Sequence, residues 1–479
     1  MHEEISKLEA IARRLEPNAN ERGRLQSQVT AYAEAYLESI DDAPARDARP
    51  DGGRALYDSP IGEEGIDIQE ALALLHENVD TVGLNPPSGR YLGYIPGGGV
   101  YHAALGDYLA AITNRYAGVY YGNPGAVRME NMLLRWMAGE IGYPKDAAGH
   151  LASGGSMANL TAIVTARDAH GIVGDAIPRA VVYLTEHAHH SIKKALHIAG
   201  VDQAIHRTVP VDERYRMDAT ALDAAIARDR KAGLQPWLIV AAAGTTNTGS
   251  VDPLADIRQI ATAHGVWMHV DGAYGAFFAL CPEGREVLRG MGESDSIIMD
   301  PHKTLFLPYG AGAVLVRNRR DLFASYDVEA DYMQDARGSY EEVSPADISP
   351  ELSRHFRGLR MWLPLKLVGV RPFRAALSEK IQLARYFHQE IQRIDGFETG
   401  PHPDLSVVVY RYRPSRGDAD EFNRRLTQRL QDEGRIFVSS TRIEGQFVLR
   451  LAISCFRTHL ADIDETLDVL ARTAREMAG

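Results

Sequence analysis

The sequence predicts an α/β fold with a mainly parallel sheet covered by helices on both faces, and three observations carry that prediction. Short apolar runs alternate with amphipathic stretches from about Leu151 to Val316; the runs are apolar nearly throughout; and polar or glycine-rich turns follow their carboxyl ends. Strands of this kind are buried on both sides by crossover helices. The predicted strands are 180–184, 237–243, 266–270, 296–299 and 311–316. The segment 253–264 predicts a helix, with Leu254, Ile257, Ile260 and Ala261 on one face and Gly265 as its C-terminal stop. Ligands of such sheets bind beyond the carboxyl ends of the strands, which is where Asp271 falls.

Three parts are expected: an N-terminal helical arm over 1–85, a large α/β domain over 86–365 and a small C-terminal α+β domain over 366–479. The arm is rich in helix formers and charge, with a loop-like stretch over 41–58. After Arg360 a helical stretch reaches about Ile394, followed by a strand at 406–412 and a helix near 419–431. Paired strands around 436–439 and 445–453 and a final helix from Leu460 complete the chain. Between the two larger parts, 325–351 is acidic, polar and poor in apolar spacing, and reads as a long loop, either functional or disordered.

Of the 479 residues, 45% are hydrophobic and 24% charged, as in soluble globular proteins. The formal net charge of −12 and the lack of any basic run argue against a nucleic-acid partner. The longest apolar run, 237–243, is too short to span a bilayer and the N-terminus is acidic, so a cytoplasmic protein is expected. Cys281 and Cys455 lack the spacing of a disulfide framework or zinc site, and read as buried, inert thiols.

Five turns carry candidate chemistry. Ser153-Gly154-Gly155-Ser156 precedes a helix, and glycine turns into helix N-termini collect phosphate; an ordinary N-cap is the alternative. Glu186-His187-Ala188-His189-His190-Ser191 displays histidine at the sheet edge, to stack on a flat cofactor, to bind metal through the HxH spacing, or to do neither. Gly244-Thr245-Thr246 places a hydroxyl at the same edge, for a cofactor oxygen or a substrate carboxylate. Asp271-Gly272-Ala273 and Asp300-Pro301-His302-Lys303 put a carboxylate and a lysine in apolar surroundings, where each needs a partner. A buried ion pair would satisfy either one. Pyridoxal phosphate would satisfy both, because it needs a lysine for its aldehyde and a carboxylate for its pyridine nitrogen.

Taken in order with Tyr94-Ile95-Pro96 and Asn123-Pro124 through Glu130, these motifs resemble the pyridoxal-phosphate-dependent amino-acid decarboxylases, which include the aromatic L-amino-acid, glutamate and histidine enzymes. The resemblance runs from about Pro86 to the C-terminus. It implies the aspartate-aminotransferase fold (fold type I), a seven-stranded large-domain sheet and a homodimer with interface active sites; no metal is expected, because no further His, Asp or Glu cluster accompanies His187 and His189. It further implies that Lys303 forms the Schiff base, Asp271 pairs with the ring nitrogen, His189 and Ala273 pack on opposite ring faces, and Gly155 and Ser156 bind phosphate. Thr246 would lie near the ring oxygen and His302 beside the reacting centre. Asp300 stands where many relatives have asparagine, and as a second anion it is left out of the phosphate site. Tyr332 matches the loop tyrosine that protonates Cα, which points to amine rather than aldehyde formation. Tyr94, Pro96 and Tyr116 are the expected substrate contacts. Decarboxylation of an aromatic amino acid is the leading expectation; Arg115 and Arg128 keep an acidic substrate open, and an aldehyde synthase or carbon–carbon lyase is the other alternative.

Overall fold

Runs of apolar residues with no polar alternation belong in a sheet buried on both faces, and the central sheet follows that rule. The computed structural model describes residues 1–50, 52–326 and 342–478. Its main sheet contains β1 (Ala148–Ala152), β2 (Ala180–Leu184), β3 (Ile205–Thr208), β4 (Gln235–Ala242), β5 (Trp267–Gly272), β6 (Ser296–Met299) and β7 (Gly312–Val316). The order across the sheet is β1-β7-β6-β5-β4-β2-β3, and only β7 runs against its neighbours. Successive side chains enter opposite cores: Val181 and Tyr183 pack on one face, Val182 and Leu184 on the other. The helix Leu254–His264 ends at Gly265, whose φ of +56° is the left-handed conformation a C-terminal stop requires.

Two of these strands escape a search for apolar runs. β1 contains Gly149 and His150, and the glycine is required because a Cβ there would lie 1.9 Å from the Val314 carbonyl oxygen. β3 is an edge strand, Ile-His-Arg-Thr, with alternating exposure.

The C-terminal sheet joins Phe397–Thr399, Val407–Tyr412, Gln446–Ala452 and Phe437–Ile443 in that spatial order, backed by helices Arg371–Ile391, Ala419–Glu433 and Leu460–Ala478. A fifth strand, Tyr91–Leu92, pairs parallel to Phe437–Val438. Residues 91 and 92, placed by sequence in the large domain, thus lie on the C-terminal sheet, where Tyr91 stacks on Phe437 at 5.0 Å. The N-terminal helices His2–Ala12, Ala19–Ser39 and Ile68–Leu75 have no buried residues. Among the described residues no helix is long and apolar enough to cross a membrane.

Candidate active site

The turns that leave β1, β2, β4, β5 and β6 at their carboxyl ends border one cavity of about 350 Å³. Gly155, Ser156, His189, Thr246, Asp271, Ala273, His302 and Lys303 all line it, so the structure brings together eight residues that lie as far as 148 positions apart (155 to 303). Helix Gly155–Ala169 starts at the cavity wall. Its N-cap is Gly154, which has no side chain to cap the first N–H groups, leaving them and the helix dipole for an anion.

Asp271 lies near the end of β5. Its Oδ2 accepts from Asn159 Nδ2 at 3.2 Å and its Oδ1 from the Ala273 N–H at 3.2 Å. His189 caps the helix His190–Ile198: its Nδ1 accepts from the Ser191 N–H at 3.3 Å and lies 2.7 Å from Ser191 Oγ. Burial holds this imidazole below its ordinary pKa, against the pull of the Asp271 carboxylate.

Lys303 rises from the short helix Pro301–Thr304 that follows β6, and its Nζ lies 3.2 Å from Asp300 Oδ2. The Asp300 side chain is 1% exposed, and its Oδ1 is buried without a hydrogen-bond partner. His302 Nδ1 donates to the Ala311 carbonyl at 2.6 Å, so neutral His302 has its lone pair on Nε2. Burial keeps it neutral by lowering its pKa, opposed by Asp300.

Comparison with known proteins decides what this geometry belongs to. Residues 73–413 match the pyridoxal-dependent decarboxylase conserved domain. The chain is 33% identical over 423 residues to the aromatic-L-amino-acid decarboxylase of Bacillus atrophaeus, covering 87% of this chain and 88% of the relative. It belongs to the pyridoxal-dependent decarboxylase family. A crystal structure of Oryza sativa TDC with PLP and tryptamine superposes with a TM-score of 0.90 at 26% identity, covering 96% of this chain and 99% of that one. The phenylacetaldehyde synthase of Petunia hybrida is 28% identical over 92% of each chain.

This decarboxylase is therefore a carboxy-lyase of fold type I whose cofactor is pyridoxal phosphate. The residues present fit that group. The uncapped helix N-terminus meets the needs of a phosphate, and Asp271, supplied with neutral donors only, keeps lone pairs for a ring N–H.

Other predicted residues lie elsewhere. Tyr94, Pro96 and Tyr116 are absent from the cavity wall of the single chain. Tyr94 is 52% exposed, and its N–H donates to Ser439 Oγ at 3.3 Å; the Tyr116 hydroxyl donates to the Leu352 carbonyl at 3.0 Å. Arg115 is exposed. Arg128 lies over the Tyr120 ring at 5.1 Å and 3.9 Å from Glu342. Tyr332 lies outside the described residues. Among the described residues no three His, Cys, Asp or Glu side chains converge as a metal site.

Sequence reasoning missed several residues of the wall. Asn159 and Asp252 line the cavity, and Asp252 accepts the Met217 and Ala242 N–H groups at 2.7 Å each. Burial pushes its pKa up to about 6 against those two bonds. Arg450, 3% exposed, reaches from the C-terminal sheet to the carbonyl oxygens of Thr246 and Asn247, fixing the turn that carries Thr246. Neither Asn159 nor Arg450 stands out from its helix or strand in the sequence; the available signal is that Asn159 lies one turn after Gly155.

Proposed function

We propose that this decarboxylase converts an aromatic L-amino acid to its amine and carbon dioxide. The observation that carries the reading is the convergence of Lys303 and Asp271 in one cavity beneath an uncapped helix N-terminus. The aromatic substrate is supported by the names of the Bacillus atrophaeus and Oryza sativa relatives.

Bound pyridoxal phosphate supplies an aldehyde that takes up amino groups and a protonated ring that accepts the electron pair left at Cα when the carboxylate departs. Lys303 Nζ holds the cofactor between turnovers, with Asp300 as its counter-ion. Gly155 and Ser156 would hold the phosphate on their N–H groups, and Thr246, on the same cavity wall, would serve the ring oxygen. Asp271 would accept the ring N–H, and His189 and Ala273, which line the same cavity, would pack against the ring. His302 sits beside the substrate with its Nε2 lone pair, and Tyr332 delivers the proton to Cα. A tyrosine at 332 favours amine over aldehyde. Aldehyde formation is the second reading, favoured by likeness to the Petunia hybrida enzyme.

The reading includes a homodimer. Helix Tyr101–Thr113 exposes Tyr101, Leu105, Tyr108, Leu109 and Ile112 at helical spacing, an apolar stripe that a second copy would cover. Tyr94, Pro96 and Tyr116 would then contribute to the second copy's cavity. The cytoplasm is the proposed compartment, in keeping with two buried free thiols, Cys281 and Cys455.

The test is an amino-acid panel with the reconstituted enzyme, assayed for carbon dioxide, amine, aldehyde and ammonia. Stoichiometric amine and carbon dioxide from an aromatic substrate are expected. Aldehyde and ammonia would move the second reading to the front, and turnover confined to acidic substrates would overturn the aromatic assignment.

A further inference from the structure

We propose that Asn159 is a positioning residue which, through one directional chain of hydrogen bonds, sets both groups that grip the cofactor ring: Asp271 as a carboxylate acceptor and His189 with its proton on Nε2. The inference rests on the reading of Asp271 as the partner of the ring nitrogen and deepens it, by naming what orders that carboxylate before the cofactor arrives.

The chain begins at Trp267, whose Nε1–H has only a donor's role and gives to Ser296 Oγ at 2.8 Å. The Ser296 hydroxyl donates onward to His269 Nδ1 at 2.9 Å. His269 then carries its proton on Nε2 and donates to Asn159 Oδ1 at 2.9 Å. With its oxygen engaged, the Asn159 amide turns Nδ2 to Asp271 Oδ2 at 3.2 Å and to Ser191 Oγ at 3.0 Å. Ser191, having accepted, donates to His189 Nδ1 at 2.7 Å. His189 Nδ1 is therefore an acceptor twice over, counting the Ser191 N–H, and its remaining proton sits on Nε2.

The direction is forced from the Asp271 end. A flipped amide would set its oxygen 3.2 Å from the carboxylate, lone pair against lone pair. The indole at the other end accommodates the required direction. The linking side chains are out of water: His269 and Ser296 are 0% exposed, Asn159 1% and Ser191 3%. Burial lowers the His269 pKa to about 4, which keeps it neutral and able to accept from Ser296. In such surroundings a fully satisfied chain orders its members, and a broken one strands a polar group. Backbone geometry builds the chain: Trp267, His269 and Asp271 share one face of β5, and Ser296 is the registered neighbour of His269 in β6.

The test uses holoenzyme reconstituted with pyridoxal phosphate labelled with 15N at the ring nitrogen, read by the 15N chemical shift and by visible-absorption titration of cofactor affinity. In the unsubstituted enzyme the shift should lie in the protonated range. Asn159→Leu should move it toward the neutral value and weaken cofactor binding about tenfold, the size of a bond to a charged group. His269→Gln, whose amide can accept from Ser296 and donate to Asn159, should behave as the unsubstituted enzyme, whereas His269→Leu should follow Asn159→Leu. Ser296→Ala removes a single hydroxyl and serves if the leucine variants do not fold, with a weakening of about threefold expected for a neutral bond. A protonated ring and affinity within about twofold in both leucine variants, or in Ser296→Ala where those do not fold, would overturn the proposal, since a lost buried bond must cost more than that. So would equal behaviour of the glutamine and leucine variants at 269. A neutral ring nitrogen in the unsubstituted enzyme would instead overturn the Asp271 reading itself.

Discussion

Asp271 and Asp300 sit at the carboxyl ends of neighbouring strands and line the same cavity, yet the protein treats them in opposite ways. Asp271 is half-buried and receives two neutral donors, Asn159 Nδ2 and the Ala273 N–H. Asp300 is almost wholly buried, has one oxygen with no partner and leans on a mobile charge, Lys303 Nζ at 3.2 Å. The first carboxylate is held by groups that stay in place whatever the cavity contains. The second depends on the Lys303 amine, which the proposed reaction would consume and return. A site can thus hold one anion by fixed dipoles and another by a reactant, and only the former is ready before chemistry begins.

The largest expected effect comes from removing the shared reactant: Lys303→Ala should abolish the visible cofactor band and lower decarboxylation by roughly a thousandfold or more. Both carboxylates remain in that variant, so surviving turnover would mean that another amine holds the cofactor. Next, Asp271→Asn should cost about a hundredfold in kcat, because a neutral amide leaves the ring nitrogen's proton without its counter-charge. Asp271→Glu should recover part of it. Asp300→Asn should cost less, about tenfold, since it removes a counter-ion and keeps the shape. Equal losses in the two asparagine variants would erase the distinction between them.

The smallest effect concerns pH. His269 is held at about 4 and His150 at about 3, both by burial, whereas an unfolded histidine titrates near 6.5. Below about pH 6.5 these two histidines therefore bind more protons in the unfolded chain than in the native one, and their contribution to stability falls as pH drops toward 4, by up to about 1.4 kcal/mol per pH unit for each. Asp252 acts with the opposite sign. Its native pKa of about 6 lies above the usual carboxylate value, so it adds stability as pH falls through 6. Urea denaturation at several pH values should show a net acid loss that His269→Gln makes shallower. An unchanged slope would mean that His269 is not the neutral link of the Asp271 wall.

These differences also explain what could be read in the sequence. Lys303, Asp271 and His189 are legible because charged or aromatic polar residues end strongly apolar strands, where they must have work to do. Asp300 was legible as an anomaly, but its pairing with Lys303 depends on the short helical turn 301–304. Asn159 looks like any polar residue of a helix, and its importance arises only when helix Gly155–Ala169 is laid against β5. His269 stands two residues before Asp271, hence on the same face, yet within an apolar run it reads as core. β1 was hidden by Gly149, which the close approach of Val314 demands. Nothing in the sequence signals that Tyr94 and Tyr116 stand away from the cavity wall of the single chain.

The short strand Tyr91–Leu92 has a bearing on how the protein is made. The Tyr94 N–H finds its acceptor on Ser439, 345 residues further along the chain, and Tyr91–Leu92 pairs with Phe437–Val438. The loop that follows crosses the lysine turn closely: a Cβ on Gly98 would lie 2.4 Å from Phe306 Cα. On a ribosome the central sheet can be assembled well before Phe437 emerges, and the early segment must wait unpaired for its late partner. Nascent chains stopped short of 437 would carry Lys303 and Asp271 with Tyr91–Leu92 still unpaired, and the loop that follows held only by its own bonds to the lysine turn, so full competence for cofactor is expected to be among the last properties the growing chain acquires.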